Sequence, residues 1–264
     1  MILRTLQNLW QKQSSVDIQR IHSDFETSEM NAVSKIFGAE KSVGCLSHYI
    51  KAMLLYVSKK FPLLHNAYHN KEEHVYKWIR LLSALPLLRR ADFEKAWPYI
   101  KNYDNLKKKF HKEASQFIQY IETEWASKAA NRWNFNGLVR TRTSNAAEAF
   151  YSSLTKDPLS SIHGSMEKFL SFMQQLSSEE DSRIYKITNE LTPFKPRNKL
   201  YAAVDEKILR CVDEYENWLT NEKPEINEFV DGTKHYLGRL SYLLLEMSEW
   251  GVTRKEEKVI SKFI

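Results

Sequence analysis

Apolar residues recur at the spacing of an α-helix over most of this 264-residue chain. From residue 46 onward they follow the i, i+3, i+4, i+7 pattern that turns one face of a helix towards a core. Seven glycines and seven prolines are too few for the many tight turns of an all-β protein. The sequence therefore predicts a mainly α fold. The successive stripes begin at Leu46, Val75, Phe93, Phe110, Met166, Leu200 and Ile226.

The amino-terminal part of the chain follows a different pattern. Residues 3–10 have helical spacing, and residues 16–21 form a short β-branched run that predicts a strand. Residues 25–37 predict a helix ended by a glycine, and residues 41–45 predict a second brief strand. We therefore expect an α+β remnant with few strands attached to a large helical body.

Net charge and cysteine content indicate which classes of partner and which cellular compartment to expect. The net charge of +6 permits a polyanionic partner without requiring one. The basic run Lys107–Lys109 is typical of a solvated helix face. Two cysteines do not make a disulfide framework, so we expect an intracellular protein. No apolar run approaches the roughly 20 residues of a membrane span, so we expect a soluble protein without a membrane partner.

Asp24 follows the first predicted strand. Acids at such positions often bind metals or take part in catalysis, because the strand fixes them and the strand end leaves them open. The alternative is a helix N-cap, in which Ser23 or Asp24 would accept hydrogen bonds from the free amides of the next helix.

Glu148 stands in the first turn of a predicted helix, three residues after Asn145. This spacing is close to a capping box, in which the glutamate bonds back to its own helix start. The other interpretation is that Glu148 faces Asp24 and shares a divalent metal with it, since Mg²⁺ uses one or two carboxylates together with phosphate oxygens and water. The residues alone leave both interpretations open.

Cys45 and His48 have the Cys-x-x-His spacing of half a zinc site. A structural zinc needs four ligands, and the scattered His65, His69 and His74 do not make a second pair with zinc-finger spacing. A buried cysteine and a histidine on a helix surface are the alternative.

Taken in chain order, a series of short motifs resembles the MULE (Mutator-like element) transposases. The resemblance covers residues 10–250, and it rests on the order of the motifs and on the long helical stretch between Asp24 and Glu148. The motifs are Asp24-Phe-Glu, Gly44-Cys45-x-x-His48, Trp133-Asn134, Arg-Thr-x-Asn-x-x-Glu ending at Glu148, His163, Phe169-Leu170 and Asp231-Gly-Thr-Lys-His-Tyr-Leu237.

The resemblance implies a truncated ribonuclease H-like core of the DDE type, interrupted by a large all-helical insertion and followed by C-terminal helices. In that family two aspartates and one glutamate bind Mg²⁺ or Mn²⁺ for DNA cleavage and strand transfer. Asp24 matches the second aspartate and Glu148 the glutamate. The positions that match supporting residues are Cys45, His48, Arg140 and Asn145. The resemblance further implies DNA as a partner and a nuclear location.

The resemblance also divides the chain into segments. These are a partial core at residues 1–45, a helical insertion at 46–130, a return to the core with the glutamate-bearing helix at 131–192, and a C-terminal helical region at 197–264. Within the third segment, the polar residues 177–182 are either a bend or the exposed continuation of a helix.

The first aspartate of the family triad belongs on an earlier strand, which has no counterpart before the helix predicted at residues 3–10. We therefore expect a transposase fragment or a decayed copy that is inactive alone. The alternative is a non-enzymatic helical protein that binds DNA or another protein. Unpaired strand edges at residues 16–21 predict poor solution behaviour or a homo-oligomer.

Overall fold

The structure, a computed structural model, describes residues 18–127, 130–136, 166–189 and 199–247. Over these residues the protein is predominantly helical, which confirms the mainly α prediction. The strands are β1 (Ile21–His22) and β2 (Ser42–Val43). The helices are α1 (Thr27–Phe37), α2 (Leu46–Lys60), α3 (Pro62–His69), α4 (Glu73–Ala84), α5 (Arg90–Ile100), α6 (His111–Tyr120), α7 (Ala130–Trp133), α8 (Met166–Thr188), α9 (Lys199–Glu222) and α10 (Ile226–Met247). A π-helical turn over Ile121–Ala126 extends α6.

The two strands are parallel and are joined by α1. Ile21 lies opposite Ser42, and His22 lies opposite Val43. Gly38 ends α1 with φ +102°, a left-handed conformation that glycine adopts without steric cost. The predicted order of strand, helix and strand is therefore present in this part of the chain, and the helix begins two residues later than predicted.

The predicted strands are too long. Residues 18–20 have no regular structure, and within residues 41–45 only Ser42 and Val43 pair. The ladder stops there because the chain enters α2 at Leu46, directly after Gly44 and Cys45. The amide of Gly44 points away from β1 and bonds to the carbonyl oxygen of Arg132, at 3.1 Å. Residues 16–17 and the helix predicted at residues 3–10 lie outside the described residues.

A cluster of buried rings connects this small βαβ unit to the helical body. Trp125 meets the rings of Phe25 and Tyr49 edge-on, with centroids 4.8 and 4.9 Å apart. Tyr49 is completely buried, and its hydroxyl donates a hydrogen bond to the carbonyl of Leu82 in α4. Trp133 packs on the other side of Tyr49, at 5.7 Å. Edge-to-face ring pairs stabilise a core beyond the area they bury, so these rings hold the start of α2 in place.

Helix α3 is absent from the sequence-based prediction. Pro62 occupies its first turn, where the missing amide proton of proline costs nothing. The amides of Leu63 and Leu64 bond to the carboxylate of Glu113 in α6, which lies about fifty positions away in sequence. Leu64 and Ala67 face the core. Pro62 is a local indication of a helix start, whereas nothing in the neighbouring sequence indicates a cap from Glu113.

Helix α8 is continuous through a polar segment, and helix α10 is continuous through a glycine. The polar residues 177–182 are the continuation of α8 rather than a bend. Helix α10 runs without a break through Gly232 and packs on α4 and α5. None of the described helices is both long and apolar enough to cross a membrane.

The buried guanidinium of Arg80 in α4 reaches α10. Its Nη2 donates a hydrogen bond to the carbonyl of Ser241 at 2.9 Å, and its carbon lies over the rings of Tyr76 and Tyr242. The contacts of α10 join it to the core built by α2, α4, α5 and α6.

Contacts along the backbone divide the chain into two compact units. One comprises Met1–Thr143 together with Ala203–Ile264, and the other comprises Ser144–Ala202. The first unit holds the βαβ element and the buried ring cluster. The second holds α8, where Gln175 bonds to Glu179 one turn later along an exposed face.

Candidate functional site

The fold brings together two residues that the sequence singled out separately. Asp24 lies two residues beyond β1, and His48 is the third residue of α2, directly after β2. Oδ1 of Asp24 is 3.1 Å from Nδ1 of His48. Both side chains therefore lie at the carboxyl end of the parallel pair, the edge at which open α/β sheets place their ligands.

The contact between Asp24 and His48 adds little to the free energy of unfolding, and its main effect is to fix the positions of the two side chains. Its direction is not that of a straight hydrogen bond, so it is a close polar contact that becomes an ion pair when the imidazole is protonated. The side chain of Asp24 is 55% exposed and that of His48 is 29% exposed. An ion pair this open to solvent contributes about 0–1 kcal/mol, so stability alone does not account for it.

The N-cap alternative for this acid is wrong. Helix α1 begins after Glu26, which occupies the N-cap position without a side-chain cap bond. Ser23 is buried, and its amide bonds to the carbonyl of Val43 at 3.0 Å as part of the strand pairing. Neither Ser23 nor Asp24 is placed to cap α1, because both precede the cap position. The carboxylate of Asp24 is thus directed to His48 instead of to the helix amides.

Other acids lie close to Asp24. Burial, followed by the carboxylates of Asp24 and Glu26, raises the pKa of Glu29 in the first turn of α1. Like charges that raise a pKa in this way create a local negative potential, which a cation relieves. Among the described residues, however, no three His, Cys, Asp or Glu side chains come close enough together to hold a metal ion.

Cys45 occupies the N-cap position of α2 and is completely buried. Its sulfur lies 2.9 Å from the hydroxyl of Ser47. His48 lies against Asp24. The rings of His65 and His69 lie 4.7 Å apart in α3, and within the described ranges they do not complete a zinc site with Cys45.

Arg140, Asn145 and Glu148 lie outside the described residues. The chain that leads towards them in sequence is described as far as Asn136, and it lies along β2. The carbonyl of Arg132 accepts the hydrogen bond from Gly44, and the guanidinium of Arg132 bonds to Ser34 in α1 at 3.0 Å. Arg132, in the described residues 130–136, is thereby fixed beside the strand pair.

The loop after α7 is held by a short 3₁₀ turn over Leu85–Leu87. The amide of Phe135 donates to the carbonyl of Pro86 at 2.6 Å, and the side chain of Asn136 donates to the carbonyl of Leu87 at 3.1 Å. The side chain of Asn134 bonds to the carbonyl of Leu88. Three successive residues thus satisfy carbonyl groups at the end of one turn, which gives the Trp133-Asn134 motif a concrete structural role.

Sequence reasoning missed His22, the second residue of β1. Its Nδ1 is 3.3 Å from the carbonyl oxygen of Gly44, and burial lowers the pKa of the ring. Its Nε2 is buried and has no hydrogen-bond partner within the described part of the chain. The signal was its place in the predicted run that leads to Asp24.

Comparisons with family models, with curated proteins and with solved structures gave no match.

Proposed function

We propose that Asp24 and His48 belong to a metal-dependent phosphoryl-transfer site of the DDE type, in a protein derived from a MULE transposase that acts on DNA. The observation that carries the proposal is the contact between these residues at the carboxyl end of a parallel strand pair. The motif order in the sequence assigns Asp24 to the acid triad and His48 to its signature. Those two motifs meet in space although 24 positions separate them in sequence.

His48 acts in this site as a positioning residue. Carboxylates that bind metals are themselves held by neighbouring polar groups, and His48 contacts one oxygen of Asp24. The second oxygen stays available for a cation. Since α2 is anchored through Tyr49, which is completely buried, the imidazole is held by a rigid part of the core.

The described residues offer one carboxylate, that of Asp24, to a hard divalent cation. Oxygen ligands from one or two carboxylates suffice for Mg²⁺ when phosphate oxygens and water complete the shell, and Asp24 is exposed enough to offer one. Glu148 would supply the second carboxylate. When bound, Mg²⁺ or Mn²⁺ stabilises the charge on the attacking and leaving oxygens of a phosphoryl group. The contribution of the chain is to orient the Asp24 carboxylate and to surround it with negative charge from Glu29.

Metal binding tests the proposal directly. Fe²⁺ bound in place of Mg²⁺ reduces added hydrogen peroxide to hydroxyl radicals, with ascorbate restoring Fe²⁺, and these radicals cut the backbone near the ion. The cleavage positions therefore map the site without any need for catalysis. We expect cuts near Asp24 and near Glu148, and we expect Asp24→Asn to remove them. Asp104→Asn, which neutralises an exposed acid in the loop after α5, is the matched control. Cleavage that is absent, or that Asp104→Asn removes equally, would refute the metal site.

A DNA assay separates the two function classes. The chain is incubated with supercoiled plasmid and Mg²⁺ or Mn²⁺, and DNA binding is measured over a range of salt concentrations. Nicking that Glu148→Gln abolishes would establish an active site and would overturn the expectation of inactivity. Salt-sensitive binding without nicking, together with no metal-directed cleavage, would favour the non-enzymatic DNA-binding alternative.

A further inference from the structure

Residues of α9 and α10 line a cavity of about 430 Å³ that is open to solvent. This volume lies within the range of small-molecule sites, which is roughly 300–1,000 Å³. The walls combine aromatic rings with charged side chains, and all of them belong to one compact unit. The lining residues used below are Glu214, Tyr215, Trp218, Glu228, Asp231 and Tyr236.

Aromatic rings form one side of the cavity. Tyr215 and Tyr236 are stacked with centroids 4.2 Å apart and planes 7° apart, and Trp218 lies 5.8 Å from Tyr215. Gly232 in α10 makes room for the indole, because a Cβ at that position would lie within 2.8 Å of three ring carbons of Trp218. Glycine inside a helix lowers helix stability relative to alanine. At Gly232 the missing side chain lets Trp218 lie against α10, at the cost of this helix stability.

The charged lining of the cavity is negative, in contrast to the net charge of +6 for the whole chain. Glu214, Glu228 and Asp231 supply three carboxylates, and Arg239 supplies one guanidinium, so the carboxylates outnumber the guanidinium by two. Arg239 is already paired with Glu214. Asp231 is exposed, and its carboxylate makes no hydrogen bond or ion pair with any other residue that the structure describes.

One polar atom in the wall also lacks a partner. Tyr236 is 4% exposed, and its hydroxyl is buried without a hydrogen-bond partner in the described ranges. Burial raises the pKa of Tyr236, so the hydroxyl keeps its proton at neutral pH. Its oxygen can accept a hydrogen bond, and a buried polar group left unpaired is costly.

We infer that this cavity binds an alkylammonium cation, through the carboxylates of Glu228 and Asp231 and the ring of Trp218. Aromatic faces attract ammonium groups, and carboxylates beside such a ring add Coulomb attraction. An apolar stem fits against the rings while the charged head meets the acids. A phosphate-bearing ligand is disfavoured, because the same carboxylates repel it. The ammonium comes either from a free polyamine or from a lysine side chain of another protein.

Isothermal titration calorimetry on the full chain tests the inference, with spermidine and Nα-acetyl-lysine amide as the two probes. We expect binding of at least one probe, and the tighter probe identifies the source of the ammonium. Asp231→Asn should weaken binding by about threefold and Trp218→Leu by about fivefold. Asp213→Asn neutralises an exposed acid of α9 that does not line the cavity, so it should leave the affinity unchanged.

Three results would overturn the inference. They are the absence of heat for both probes at about 10 mM, an equal loss for Asp213→Asn and Asp231→Asn, and unchanged affinity in both cavity variants. Because Trp218→Leu could disturb the packing of α9 on α10, its thermal unfolding is compared with that of the unsubstituted chain. Asp231→Asn changes an exposed side chain and keeps the test decisive if Trp218→Leu does not fold.

Discussion

Replacing Gly44 with alanine tests whether the strand pair is held as tightly as the structure indicates. A Cβ at this position would lie 2.7 Å from the carbonyl oxygen of Arg132 and closer still to two ring carbons of Phe25. Neither neighbour can move freely, because Phe25 packs against Trp125 and the Arg132 carbonyl accepts the hydrogen bond of Gly44 itself. The added methyl group must therefore displace α7 or the ring.

The expected loss of unfolding free energy in Gly44→Ala has two contributions. Overpacking in a close-packed region costs about 1–3 kcal/mol. Weakening the hydrogen bond from Gly44 to Arg132 adds about 0.5–1.5 kcal/mol. Gly238→Ala is the matched control, since a Cβ there has no neighbour within 4 Å. In the middle of α10 that change should stabilise the protein by about 0.5–1 kcal/mol, because alanine favours the helix over glycine.

Urea unfolding, monitored by far-ultraviolet circular dichroism and by tryptophan fluorescence, measures the unfolding free energies of Gly44→Ala and Gly238→Ala. Gly44→Ala should lower the midpoint at an unchanged slope, and Gly238→Ala should raise it. Metal-directed cleavage near Asp24 should weaken only in the Gly44 variant. An unfolding free energy for Gly44→Ala equal to or above that of the unsubstituted chain would refute the close approach of α7 to β2.

Three further changes test other contacts by the same unfolding assay. Arg80→Lys should destabilise the protein by about 1–3 kcal/mol, because lysine does not reproduce the planar, stacked guanidinium that bonds to Ser241. Glu113→Ala should cost about 1 kcal/mol by removing the cap on Leu64. Burial holds the pKa of His22 below its ordinary value of 6.5, so the folded state binds fewer protons than the unfolded state below that pH. Stability should therefore fall as the pH drops through this range, and His22→Gln should flatten the fall.

Each of these three predictions has a result that contradicts it. Unchanged stability in Arg80→Lys would show that the arginine geometry is unnecessary. Glu113→Gln keeps an acceptor oxygen, so a loss as large as that of Glu113→Ala would argue against capping by hydrogen bonding. For His22→Gln, the difference from the unsubstituted chain should change between about pH 7.5 and about pH 5.5. A constant difference would mean that His22 does not titrate differently on folding.

Local signals in the sequence predict the local structure well. The apolar periodicity gives the helical stripes of α2, α4, α5 and α10, and Gly38 correctly ends α1. These features depend on residues within a few positions of each other, which is the range over which a helical face or a glycine conformation is decided. Helix α3 escaped prediction because it has only two turns and its cap, Glu113, is remote in sequence.

Features that depend on tertiary contacts were not predictable in the same way. The strands are short because the chain enters α2 soon after Val43, and no local pattern predicts the bond between Gly44 and the carbonyl of Arg132. The capping alternative for Asp24 was reasonable from composition and wrong because α1 begins after Glu26. The contact of Asp24 with His48 follows from the parallel register of two strands, and the motif order predicted both residues without placing them together.

The bond from Arg80 to Ser241 has a consequence for how the protein is made. The two residues are 161 positions apart, so at about 5–20 residues per second the ribosome needs roughly 8–30 s to deliver the second after the first. During that interval the face of α4 that later receives α10 has no permanent partner. A nascent chain in this state exposes apolar surface to chaperones and to neighbouring copies. Helix α10 therefore cannot pack on α4 before the carboxyl-terminal part of the chain has been made, and slower elongation lengthens the time for which that face of α4 is exposed.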